Sequence, residues 1–254
     1  ITWHPGDYTG LMAPVALANM RIDFTFHGRA AHAAGSPELG RSALDAVELM
    51  NVGVNYMREH MPDDARVHYA YLDAGGEAPN VVQSRATVRQ LIRSRNNMGL
   101  RDLVARVRKI GEGAALMTET RVETKVVSAV SSMLSSPVLE RAMEAQILAI
   151  GAPEFDDEDR AFAAAIRTTL TPEHIADTFW RVGLEVDPEL PLADFVVPLA
   201  QMRPAGSGST DVADVSWAVP TVQAWVTTCA LGTPFHSWQL TAQGKSPAAH
   251  KGMI

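Results

Sequence analysis

Apolar residues fall at every second position over Met20, Ile22, Phe24 and Phe26, with Arg21, Asp23 and Thr25 between them. That is the period of a strand with one buried face. The strand ends at Gly28, and a loop of small residues, Ala30-Ala31-His32-Ala33-Ala34, follows before Gly35-Ser36-Pro37 breaks the chain. A helical period then opens near Gly40, with Leu44, Val47, Met50, Val54 and Met57 on one stripe. Residues 66–71 alternate again (Val67, Tyr69, Tyr71), 73–80 form a loop by composition, and Ala86, Val88, Gln90 and Ile92 oppose Arg89 and Arg93 on a third strand. Leu100, Leu103, Val104, Val107, Ile110, Ala114 and Met117 mark a second helix, and Val122, Thr124, Val126, Ser128 and Val130 a fourth strand. The order strand, helix, strand, strand, helix, strand predicts a split βαβ, ferredoxin-like sandwich.

From Ser136 the texture changes. A helix is predicted over 137–150, stopped by Gly151 and Pro153. Asp156-Asp157-Glu158-Asp159 open another that runs through Leu170, read as a capped and solvated helix start whose charges suit the positive end of the helix dipole. Thr171-Pro172-Glu173 begin a third in the same way. Residues 10–18 have no clear period, and the proline-bearing stretch 186–201 reads as a long connection. An apolar strand is predicted over 220–230. Leu231-Gly232-Thr233-Pro234-Phe235-His236 follow at its carboxyl end, where α/β sheets bind ligands. Ser246-Pro247 read as the start of a helix still open at Ile254, and the chain begins at Ile1 inside an apolar run, so the sequence reads as a piece of a longer protein.

Composition narrows the function classes. The 254 residues are 46% hydrophobic and 20% charged, the balance of a globular protein with one or two domains. A formal net charge of -7 and the lack of a basic stripe argue against nucleic acid as a partner. Cys229 is the one cysteine, which excludes an internal disulfide framework and fits a reducing, cytoplasmic compartment. No apolar run approaches the roughly 20 residues that span a bilayer, so no membrane partner is expected.

Few residues carry obvious chemistry. His32 sits among Gly and Ala between a strand and a helix, where an imidazole can reach a ligand close to the backbone; the ordinary alternative is a helix-entry loop that happens to contain histidine. His4 is held extended by Pro5, at a strand end or in a loop. Gly206-Ser207-Gly208-Ser209 can turn backbone N–H groups toward an anion such as a carboxylate, or can be a plain surface loop. Gln243-Gly244-Lys245-Ser246 mimic the end of a phosphate loop, but Gln239 stands where that motif needs glycine. Cys229, in an apolar strand, reads as core.

The run His27-Gly28-Arg29-Ala30-Ala31-His32-Ala33-Ala34, with Pro37, Gly40, Arg41 and Ser42-Ala43-Leu44-Asp45-Ala46, resembles the lid of the dinuclear-metal amidohydrolases. That family takes in aminoacylases, carboxypeptidase-G-type enzymes and amino-acid conjugate hydrolases. The resemblance extends from Trp3-His4-Pro5-Gly6 to His250-Lys251-Gly252-Met253. It implies an α/β fold: a zinc-peptidase-like catalytic domain with a largely parallel sheet over residues 1–18 and 132–254, and an inserted ferredoxin-like α+β lid, or dimerisation, domain over 19–131. It implies His4 and His236 as metal ligands for two divalent ions, zinc or manganese, and His32 as a catalytic group that holds the oxyanion, often in the neighbouring subunit's site. Asn80, Arg93, Gly206, Ser207, Gly208 and Ser209 match substrate-binding positions, Arg93 as a bidentate partner for a carboxylate. Asp211 and Asp214 match partners that orient a histidine ligand. The implied substrate is a small amino-acid conjugate, and the implied assembly is a homodimer through the lid, with room for a second type of subunit.

The chain departs from the family in one respect. The Cys- or Asp-containing His motif and the adjacent glutamate pair, one a ligand and one the general base, are absent from these residues. The chain alone is therefore expected to be inactive. A non-catalytic dimerisation or binding module is the competing reading.

Overall fold

The computed structural model describes residues 1–12, 15–187, 189–202 and 208–254. The chain divides into two compact units: Ile1–Val15, Leu134–Gly206 and Val215–Ile254 in one, Ala16–Met133 and Ser207–Asp214 in the other. The first unit opens with β1 (Thr2–Gly6) and β2 (Thr9–Leu11).

The second unit contains β3 (Ala18–His27), α1 (Ala43–Met57), β4 (Arg66–Asp73), β5 (Arg85–Ser94), α2 (Asn97–Met117) and β6 (Arg121–Val130). Each strand and helix forms where the hydrophobic period places it. Side-chain caps fix the helix starts: Ser42 accepts the Asp45 N–H, and Asn96 accepts the Gly99 N–H. The sheet order is β4-β5-β3-β6, antiparallel throughout. Ile22, Phe24 and Phe26 share a buried core with Val88, Ile92, Met50, Val54 and Val107. Gln90 lies in that core because its amide donates to Asn51 at 3.0 Å. Tyr69 and Tyr71, on the same side of β4 as the buried Val67, are 43% exposed, and β4 is an edge strand. Gly28 ends β3 where a Cβ would lie 1.9 Å from the Arg41 carbonyl, which the Arg29 N–H bonds at 2.8 Å.

The first unit resumes with α3 (Pro137–Ile150), α4 (Asp157–Arg167) and α5 (Pro172–Arg181), followed by β7 (Val196–Val197). α6 (Val212–Ala218), β8 (Gln223–Thr227), α7 (Trp238–Gln243) and α8 (Pro247–Lys251) complete the chain. Asp156 and Asp159 form a reciprocal capping box at α4. The acidic run is less solvated than predicted: Asp159 is buried, and Lys251 clamps it together with Asp156. α8 does not run on toward Ile254; Gly252 closes it, bonding back to Ala248.

The sheet of this unit has the order β1-β8-β2-β7. β1 and β8, and β2 and β7, are parallel, but β2 and β8 are antiparallel. The sheet is thus mixed rather than largely parallel. β1 and β2 are joined by Asp7 and Tyr8 alone, so the chain reverses and the two strands flank β8 in opposite directions. β2 and β7, within stretches read as connections, are too short to show a period. Tyr8, Phe179, Val182, Ala193, Val197, Trp225 and Leu231 form one core cluster, and Phe155, Ala163, Ile166, Leu192, Ala230 and Ala248 another. Among the described residues, no helix is long and apolar enough to cross a membrane.

Candidate functional site

In the first unit, His4 sits in the middle of β1, opposite Trp225 of β8. Its ring stacks on the Trp225 indole, with centroids 4.8 Å apart and planes 6° from parallel. The space for that indole exists because Gly6 has no side chain; a Cβ there would lie 1.8 Å from the indole nitrogen. His4 Nδ1 lies 2.7 Å from the Pro5 carbonyl. A carbonyl only accepts, so Nδ1 carries the proton and Nε2 keeps its lone pair, the arrangement seen in metal-bound histidines. Phe235 packs edge-on against His4 at 6.1 Å and against Trp225 at 5.4 Å. The next residue, His236, is exposed and adopts φ 62°, a left-handed conformation that non-glycine residues take at a cost of roughly 1–2 kcal/mol. The segments bearing the two histidines are therefore brought together across an aromatic shelf.

Asp7, which follows β1 directly, is fully buried. It accepts from the Thr178 hydroxyl at 2.8 Å and the Gly232 N–H at 3.4 Å, and Arg181 stands 3.6 Å away. One carboxylate thus ties the turn after β1 to the turn that leads to His236. Burial, then the Asp7 charge, pushes the Tyr8 phenol and the Cys229 thiol well above their ordinary ranges, so Cys229 is inert as a nucleophile.

In the second unit, His32 is exposed. Its Nδ1 accepts the backbone N–H groups of Ala34 (3.2 Å) and Gly35 (3.0 Å), which places the ring proton on Nε2, facing away from the loop as a donor. Asn80 meets this loop through its carbonyl, which accepts the Ala33 N–H at 2.9 Å, while His32 and Val81 form an isolated bridge. Arg93 is half-buried and donates to the Ser209 hydroxyl at 3.2 Å. Burial, then the Arg21 charge, lowers its proton affinity. Gly208 accepts the Leu17 N–H through its carbonyl. Gly206 and Ser207 lie outside the described residues. Asp214 accepts the Ser131 N–H at 2.8 Å, and the Asp211 carbonyl accepts the Asp214 N–H at 3.0 Å; these bonds shape the loop and engage no imidazole.

His4 and His236 suit a metal in donor type but not in number. Zinc hydrolases use about three protein ligands. Among the described residues, no three His, Cys, Asp or Glu side chains gather where they would hold an ion. Sequence reasoning missed Trp225, Phe235, Tyr8 and Asp7. The apolar strand at β8 was visible, but the register that sets Trp225 against His4 was not.

No family model matches the chain. Aligned over 264 residues, it is 45% identical to the B-type chain of p-aminobenzoyl-glutamate hydrolase from Escherichia coli K12, an alignment that covers all of this chain and 55% of that protein. The chain is a relative of that hydrolase component. It is also 33% identical over 121 residues to indole-3-acetyl-aspartic acid hydrolase of Enterobacter agglomerans, with 48% of this chain and 28% of that protein aligned. Among solved structures, the aminobenzoyl-glutamate utilization protein of Klebsiella pneumoniae superposes with a TM-score of 0.50 at 20% identity, over 89% of this chain and 49% of the other. That likeness is one of fold alone, a mixture of helix and sheet. The chain spans little more than half of the first relative's length.

Proposed function

We propose that the chain is part of a metal-dependent amidohydrolase that cleaves the amide bond of an N-acyl or N-aroyl amino acid. The best substrate candidate is p-aminobenzoyl-glutamate, released as p-aminobenzoate and glutamate. The observation that carries this reading is the 45% identity along the entire chain to a hydrolase named for that conjugate. In this reading His4 and His236 are two of the ligands of a site for two divalent ions, zinc or manganese. Bound there, such ions would supply Lewis-acid activation of the amide carbonyl and of water. The second unit is a ferredoxin-like lid. His32 donates from Nε2 to the oxyanion of the tetrahedral intermediate, Arg93 and Ser209 hold a substrate carboxylate, and Asn80 supports the His32 loop. The lid edge forms a homodimer, and the relative's designation as one of two lettered hydrolase components points to a second chain type.

The absence of a three-ligand group among the described residues favours the competing reading, a binding or dimerisation module. The test is hydrolysis of p-aminobenzoyl-glutamate by the full-length protein loaded with zinc or manganese. Cleavage supports the proposal. Cleavage of other N-acyl amino acids only would overturn the substrate, and no hydrolysis of any conjugate would leave the binding module.

A further inference from the structure

Asp7 is a buried charge that the proposed mechanism leaves unused, and its bonding is one-sided. Among the described residues, every partner of the carboxylate lies on Oδ2, and the buried Oδ1 has none. A buried carboxylate with a bare oxygen is costly to keep, so its role is to be sought in the bonds on the other oxygen. Oδ2 takes the Thr178 hydroxyl of α5 at 2.8 Å and the Gly232 N–H at 3.4 Å. These two donors converge on one turn. Gly232 adopts φ 88° and is pressed against α5, where a Cβ would lie 2.9 Å from the Ile175 Cα, one helical turn before Thr178. Holding α5 therefore holds the turn as well.

The residue before Asp7 acts on the same segment. The Gly6 carbonyl accepts the Thr228 N–H at 2.8 Å, the Thr228 hydroxyl at 3.2 Å and the Cys229 thiol at 3.4 Å. Gly6 ends the strand that bears His4, and Asp7 follows it, so two successive residues take hold of 228, 229 and 232. From Gly232 the chain has little freedom before His236. Pro234 fixes its own φ, the Ser237 hydroxyl donates to the Pro234 carbonyl at 2.6 Å, and His236 stands at φ 62°. An anchor at one end of so stiff a segment sets the position of the other end. We propose that Asp7 is a positioning residue, whose Oδ2 fixes the turn that presents His236 relative to the strand that bears His4. That the two imidazoles work together rests on the hydrolase reading; that Asp7 sets one relative to the other does not.

The test compares Asp7→Ala, Asp7→Asn and Thr178→Val in the full-length protein. NMR reads the Gly232 amide and the His236 ring, and calorimetry reads zinc affinity. Asp7→Ala removes the acceptor. The Gly232 amide should lose exchange protection, the His236 ring resonances should move, and zinc affinity should fall about 10–100-fold, the range typical of residues that orient metal ligands. Asp7→Asn offers an amide oxygen to the same two donors and should restore all three readings to near wild type. Thr178→Val keeps the shape of the side chain without its hydroxyl. It should move the His236 resonances in the same direction, and it decides the matter if Asp7→Ala does not fold. Ser42→Ala, a loss of stability in the second unit, should leave His236 and zinc binding unchanged. Wild-type His236 resonances and zinc affinity in Asp7→Ala and Thr178→Val overturn the proposal, as does an Asp7→Asn protein that behaves like Asp7→Ala. Hydrolysis and zinc binding untouched by these variants sink the positioning role and keep the hydrolase. A wild-type protein that binds no zinc and cleaves no conjugate sinks the hydrolase instead, and the His236 resonances then still decide the role of Asp7.

Discussion

At the scale of single residues, the candidate site is a matter of hydrogen-bond direction. His4 and His32 each have one ring nitrogen committed to backbone, and in opposite senses: Nδ1 of His4 donates to Pro5, and Nδ1 of His32 accepts from Ala34 and Gly35. The first leaves an acceptor nitrogen suited to a cation, the second a donor suited to an anion. On the hydrolase reading proposed above, His32→Ala in the full-length protein is expected to lower kcat by about 10²–10³ with little change in KM, the loss typical of one oxyanion donor; steady-state kinetics on p-aminobenzoyl-glutamate decide it. Gly6→Ala would drive a methyl group into the Trp225 indole. It should cost about 1–3 kcal/mol in urea unfolding and perturb the near-ultraviolet dichroism of the Trp225 stack. Both histidines and the loop of Ser209 stand out in the sequence by type and neighbours, whereas Arg93 enters only through the family resemblance. The contact between Arg93 and Ser209, and the shelf of Trp225 and Phe235 under His4, depend on ladder register and loop packing, which a one-dimensional pattern does not carry.

Elements were legible where one face is buried and the run is long. β3, β5, α1 and α2 follow their hydrophobic periods, and Ser42 and Asn96 cap the helices as their side-chain chemistry allows. β2 and β7 were not legible, being three and two residues long. Replacing Ser42 by Ala should destabilise the second unit by about 1 kcal/mol, and Phe24 by Ala by about 3–5 kcal/mol, measured by chemical denaturation. The Lys251 clamp gives a pH test. Hydrogen bonding from Lys251 lowers the Asp156 pKa, so its contribution is complete above the unfolded carboxylate value of about 3.9 and is lost as pH falls through the lower folded value. The same contact raises the Lys251 pKa, so that contribution is complete below about 10.4 and is lost as pH rises through the folded value. Lys251→Met should therefore lower Tm at neutral pH, with the difference from wild type closing at strongly acid and strongly alkaline pH. A pH-independent difference would mean that Lys251 acts through packing alone.

For the whole molecule, the split βαβ order could be read from hydrophobic periods but the mixed sheet could not, because strand direction in the first unit follows from a two-residue link between strands and from pairings between distant segments. The placement of β8 between β1 and β2 also sets an order of assembly. The sheet of the second unit is built from one continuous stretch, β3 to β6, and can close as soon as that stretch is made. β1 and β2 must wait for β8, some two hundred residues later, and closing so long a loop is slow. During synthesis, β1 and β2 emerge long before β8, the strand that both of them flank, and the inserted unit folds in between. Pulse-labelled hydrogen exchange on refolding should thus find Phe24 and Val88 amides protected well before those of His4 and Thr227, and any chaperone that holds the nascent chain would be expected to grip the β1 and β2 segment.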